Sequence, residues 1–209
     1  MTATRPTCDL CLRAKVSCIC RWITPLRTAV EVVILQHPLE IHQAKGSARL
    51  LHLSLIDSQL IAGEVLSTEV QQRILQPTRQ AVLLYPLPTD TIGSAPNEAP
   101  LLNPDLLSQP MRLRLIVLDA TWRKSRKMLA LSPLLQTLPR LALTDAPPSQ
   151  YRIRKAQRAG QLSTFEATCQ ALLRLAHPPA DIDALLAAFD GFVNQQAAYQ
   201  IDAGVRQCR

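Results

Sequence analysis

Glycine is scarce in this chain, with six in 209 residues, and none sits in a G-x-G-x-x-G or G-x4-G-K-[ST] pattern. Dinucleotide cradles and P-loops need glycines where backbone amides close on phosphate, so both classes are disfavoured. A nucleophile elbow, G-x-S-x-G, is missing too. No apolar run approaches the length of a membrane span, and no charged-then-apolar leader opens the sequence. These absences predict a soluble, cytoplasmic protein with no membrane contact. With 47% apolar residues, the chain can bury a core large enough for one domain and a small appendage.

Acids are outnumbered, and unevenly. The net charge is +7, yet eleven Lys and Arg fall between Arg112 and Arg158 against only Asp119 and Asp145, so the rest of the chain is close to neutral. Clustered positive charge is the footprint expected for a polyanion such as nucleic acid; a solvated basic face without a partner is the plainer alternative.

Cysteine is uneven as well. Four of six lie within thirteen residues as Cys8-x2-Cys11-x6-Cys18-x-Cys20. Four thiolates this close suit one tetrahedral zinc and leave no open position for water, so the site would be structural. Two disulfides would need an oxidising compartment, and iron–sulfur ligation is a further alternative. Residues 1–27 are therefore expected to form a zinc-binding segment ahead of a main domain over 28–209. Its arginines and lysine, Arg5, Arg13, Lys15, Arg21 and Arg27, leave it free to touch RNA.

In the main domain, apolar runs at 29–36, 81–86 and 113–118 read as buried strands, the first and second stopped at Pro38 and Pro86. Short strands are also expected at 62–67 and 141–144. Helices are expected over 48–55 behind Ser47, over 68–75, from Trp122 onwards, from Ser163 to Ala176, and over 181–200. Ser163 and Glu166, three apart before an apolar run, form a capping box. Residues 86–110, with six prolines and no periodicity, read as a long loop. Alternation of strands and helices predicts an α/β fold.

The strand from Leu113 stops at Asp119-Ala120-Thr121-Trp122. Ligands of open α/β sheets sit beyond the carboxyl ends of strands, which makes Asp119, Thr121 and Trp122 candidates for chemistry. In the plainer reading Asp119 caps the next helix and Trp122 fills core. In that helix Arg123, Arg126 and Lys127 share a face. His37, Glu40 and His42 suit loop or substrate contacts better than a metal, because no fourth ligand lies near them.

Together these segments resemble the DTW-domain family. The matching stretches, in order, are the four cysteines, His37-Pro38-x-Glu40, Ser47-x-Arg49-Leu50, Tyr85-Pro86, Asp119-x-Thr121-Trp122, Tyr151-x-Ile153-Arg154 and Leu162-Ser163-Thr164-x-Glu166-Ala167. The resemblance implies a SPOUT-like sheet with helices on both faces, akin to RNA methyltransferases knotted towards the C-terminal side. It implies transfer of a 3-amino-3-carboxypropyl group from S-adenosylmethionine to N3 of a tRNA uridine, with methylthioadenosine released. Asp119, Thr121 and Trp122 would be catalytic. Leu84, Tyr85, Pro86, Leu118, Leu162, Ser163, Thr164 and Glu166 would line the S-adenosylmethionine cleft. Arg123, Lys124, Arg126, Lys127, Arg152, Arg154 and Lys155 would hold tRNA, and no protein partner is predicted. Methyl transfer to RNA, or RNA binding without catalysis, are the alternatives.

Overall fold

The computed structural model describes residues 6–87, 100, 102–144, 147–151, 162–175 and 177–207, with side chains of the last helix as far as residue 199. Five parallel strands make one sheet: β1 (Glu31–Gln36), β2 (Gln59–Ala62), β3 (Gln80–Leu84), β4 (Leu113–Asp119) and β5 (Arg140–Leu141), in the order β2-β1-β4-β3-β5. The helices are α1 (Ala48–Ser54), α2 (Thr68–Ile74), α3 (Trp122–Leu131), α4 (Pro133–Thr137), α5 (Thr164–Arg174) and α6 (Pro179–Gln207). None is long and apolar enough to cross a membrane among the described residues.

The strands alternate between two cores. Val32, Ile34, Leu113, Leu115 and Val117 face α1, α5 and α6, whereas Val33, Leu35, Leu83 and Ile116 face α2, α3 and α4. That two-sided covering explains the unbroken apolar runs in β1 and β4. Val33, Ile34 and Ile116 are completely buried, each contributing about 1.5–3 kcal/mol of transfer free energy.

Several boundaries differ from those expected. The strand placed at 62–67 lies at Gln59–Ala62 instead. It is a half-buried edge of four residues, too short for a clear period. The strand expected at 141–144 is the pair Arg140–Leu141, and α4 was not foreseen. The loop at 86–110 contains a 3₁₀ turn at Pro104–Ser108, with Asn103 accepting from the Asp105 amide. Ser47 does precede α1, but its side chain makes no cap; only its carbonyl joins the helix, accepting from Leu51. Around α5 the capping box is complete: Ser163 Oγ accepts from the Glu166 amide, and Glu166 accepts from that of Ser163.

The connection after β1 leads to α1 on one face, and that after β4 leads to α3 on the other. Where neighbouring strands send their connections to opposite faces, a crevice opens at their carboxyl ends. Gln36 and Asp119, register partners at the ends of β1 and β4, stand at that crevice.

Candidate active site and metal centre

Asp119 is 5% exposed, and two residues distant in sequence hold its carboxylate. Thr164 Oγ1 donates to Oδ1 at 2.7 Å, and Gln36 Nε2 donates to Oδ2 at 2.9 Å. The first comes from the start of α5 and the second from the end of β1, so three elements fix one carboxyl group. Asp119 does not cap α3. Thr121 does, accepting from the Lys124 amide at 3.4 Å.

The turn after β1 closes the same edge. His37 Nδ1 accepts from the Leu39 amide, which makes Nε2 the protonated nitrogen that donates to Glu64 at 3.0 Å. Lys127 also reaches Glu64, at 2.9 Å, and with His37 holds its carboxyl below the usual range. Lys124 Nζ lies 2.7 Å from Glu40 Oε1. His37 therefore holds the strand end through a hydrogen bond and Glu40 through an ion pair, and His42 stays exposed.

Trp122 is on the opposite side of the sheet edge. At 39% exposed it is not a core plug, and it meets Tyr85 edge-on with ring centroids 5.8 Å apart. Tyr85 in turn carries the Arg140 guanidinium at 5.3 Å and contacts Ser125 Oγ at 3.3 Å. Arg140 also donates to the Pro86 carbonyl at 2.8 Å.

Thus the expected site residues form two groups. Asp119, Thr164 and the start of α5 lie together, while Tyr85, Pro86 and Trp122 form an aromatic ledge across the edge. Leu84 and Leu118 are wall residues of the strand ends, packed into opposite cores. Leu162 and Ser163 lead into α5, and the Glu166 carboxylate is filled by its own chain, accepting from Ser149 Oγ and the Gln150 amide as well as from Ser163. Gln36 was missed by sequence reasoning; the available signal was a polar residue ending a buried strand. Arg123 and Arg126 are exposed on α3 with no ion-pair partner among the described residues, whereas Lys124 and Lys127 are paired. Arg152, Arg154 and Lys155 lie outside the described residues.

The four cysteine sulfurs all lie within 4.8 Å of one another. Cys8 and Cys20 are 3.6 Å apart, and Cys11 and Cys18 3.8 Å. Four sulfurs about 2.3 Å from one tetrahedral metal would be separated by about 3.8 Å, so the set fits a metal. Disulfides, at about 2.05 Å, are excluded for these pairs by the same distances. Amides of Cys11 and Leu10, helped by the Cys20 and Cys18 thiols, push Cys8 down to about 6. Cys20 moves up, through burial and then its thiol neighbours. A divalent cation would let all four ionise together.

This segment is anchored in the main core. Cys11 and Ile19 are buried with α5 and α6, and Trp22 Nε1 donates to Gln195 Oε1 at 2.5 Å. The Trp22 indole lies so close to Gly191 that a Cβ there would stand 2.2 Å from the ring.

Comparison with known proteins gives a consistent set of relatives. A Drosophila melanogaster protein named tRNA-uridine aminocarboxypropyltransferase 2 is 31% identical over 183 residues, 84% of this chain and 68% of its own. Arabidopsis thaliana tRNA-uridine aminocarboxypropyltransferase A is 31% identical over 137 residues, 61% of this chain and 52% of its own. The Macaca fascicularis tRNA-uridine aminocarboxypropyltransferase 2 is 27% identical over 175 residues, 80% and 56% respectively. This chain therefore spans between about half and two thirds of the length of these relatives. No solved structure matches significantly. The DTW domain model matches residues 5–197, and the chain belongs to the DTW domain family.

Proposed function

We propose that the protein is a tRNA-uridine aminocarboxypropyltransferase, moving the 3-amino-3-carboxypropyl group of S-adenosylmethionine to N3 of a tRNA uridine. The shared name of the relatives carries this reading. A new bond forms between uracil N3 and the γ-carbon of the methionine portion as the bond from that carbon to sulfur breaks. Sulfur keeps the electron pair, methylthioadenosine departs, and the N3 proton is lost.

Asp119 is the group that faces the uracil N3–H. With its two oxygens held by Thr164 and Gln36, it is suited to orienting the base and accepting the proton in a fixed direction. Thr121 sets the start of α3, and Trp122 with Tyr85 offers an aromatic ledge for a base or the adenine. The backbone of 84–86, Leu118 and 162–164 lines the donor cleft of a SPOUT-like domain. Glu166 positions that wall through its capping box. Arg123 and Arg126, with Arg152, Arg154 and Lys155, take tRNA phosphates. Cys8, Cys11, Cys18 and Cys20 hold a structural zinc, and free thiols at this spacing suit the reducing cytoplasm.

The test is transfer to unmodified tRNA from S-adenosylmethionine labelled either in the methyl group or in the methionine carboxyl. Carboxyl label on tRNA with methylthioadenosine released is expected. Asp119→Asn should lower that rate by roughly 10²–10⁴-fold while donor affinity holds. Methyl label on tRNA would make the protein a methyltransferase. Tight, salt-sensitive tRNA binding with neither label would make it a binding protein.

A further inference from the structure

A cavity of about 410 Å³ lies between the cysteine segment, the turn after β1 and the start of α1. It borders the ends of β1 and β4 through one wall residue and the start of α3 through another. Gln36 is on its wall and donates to Asp119; Glu40 is on its wall and pairs with Lys124. Arg13 is also there, but its guanidinium is engaged, donating to the carbonyls of Ala44 and Gly46 and resting 5.2 Å from the Phe192 ring. Arg13 builds the wall. Arg49 differs: it is half-buried, lines the cavity, and has no hydrogen-bond or ion-pair partner among the described residues.

A guanidinium on the wall of a recess calls for an oxyanion, and its planar fork matches a carboxylate with two parallel bonds. The lining has the opposite charge as well. Lys124 takes Glu40 Oε1, and Oε2 has no partner among the described residues. An RNA phosphate entering beside Arg49 would meet that carboxylate. A zwitterion carrying both an ammonium and a carboxylate satisfies both walls. We propose that this cavity receives the amino-acid end of the donor, with Arg49 gripping the α-carboxylate and Glu40 the α-ammonium.

The inference rests on the transferase reading above and explains how one carbon is chosen. A sulfonium offers three activated carbons, and positioning must select among them. A protein that holds the far end of the methionine portion, rather than the sulfur alone, fixes the γ-carbon against the acceptor. The held group is also the one that leaves on the RNA, so Arg49 grips the transferred part and not methylthioadenosine.

The experiment compares calorimetric affinities of wild type, Arg49→Gln and Arg49→Lys for S-adenosylhomocysteine, which has the amino-acid end, and methylthioadenosine, which lacks it. Arg49→Gln should weaken S-adenosylhomocysteine roughly tenfold to a hundredfold, the scale of a lost charge-assisted bond. Arg49→Lys, which keeps the charge without the fork, should fall between. Methylthioadenosine and tRNA affinities should stay within twofold, which also shows that the variants are folded. Unchanged S-adenosylhomocysteine affinity in Arg49→Gln overturns the proposal. Loss of tRNA affinity instead, with a shallower salt dependence, overturns it in favour of a phosphate site. If wild type binds neither nucleoside and transfers no carboxyl label, the transferase reading itself fails and this inference goes with it.

Discussion

Arg114 lies in the basic stretch by sequence, yet its side chain is 2% exposed inside the sheet. It donates to Glu31 at 2.9 Å and to the Ile74 carbonyl at 2.8 Å. A charge count cannot see that pairing, because the partners are 83 residues apart. Arg114→Ala would take from Glu31 its nearest guanidinium and from the Ile74 and Gln76 carbonyls a donor. Breaking a buried pair costs about 3–5 kcal/mol, and Arg79, 3.8 Å from Glu31, keeps the effect near the lower end. The expected drop in melting temperature is roughly 6–12 °C by calorimetry; a shift under about 2 °C would contradict the assignment. Asp119 shows the same limit at the site. Its place after a buried strand was legible from Leu113–Leu118, and its position at the carboxyl edge of the sheet followed from the strand end alone. Its partners Gln36 and Thr164 were not legible, since their approach depends on register and on where α5 docks. The plainer reading put the cap on Asp119 because aspartate and threonine both cap helices, and sequence alone does not say which begins the turn.

At the scale of the element, the function proposed above makes α3 the helix that tRNA would meet. Its start at Trp122 and its basic face at helical spacing were readable, because both depend on local periodicity. Which cations stay available was not. Lys124 and Lys127 reach across to Glu40 and Glu64, on the turn after β1 and beyond β2. Arg123 and Arg126 remain for phosphate. The double variant Arg123→Ala, Arg126→Ala should weaken tRNA binding and make the slope of log affinity against log salt shallower by about one to two. Titrations at several salt concentrations test this; an unchanged slope would remove α3 from the interface. The elements that escaped reading are the short ones. The four residues of β2 and the five of α4 hold too few positions for a period to emerge, and neighbouring strands and helices define them.

Across the whole molecule, the cysteine segment and α6 form one packing unit. Trp22 fills the notch at Gly191, Arg21 stacks 4.6 Å from the same indole, and Gln195 binds both side chains. Purified protein should contain one zinc per chain by mass spectrometry. Removing it with a strong chelator, or replacing Cys8 with serine, should lower the melting temperature and shift Trp22 emission to the red, read in a Trp122→Phe background. A metal-free protein with unchanged emission would separate the metal from this docking. The cysteine spacing announced a cluster of four thiols that could hold a metal; the docking did not announce itself, because Trp22 and Gln195 are 173 residues apart. That separation has a consequence in time. A ribosome adding about 5–20 residues per second needs roughly 10–35 s to bring out Gln195 after Trp22. For that interval the thiols stand outside on a nascent chain with no helix to lie against, and a metal captured early would shield them from oxidants until α6 arrives.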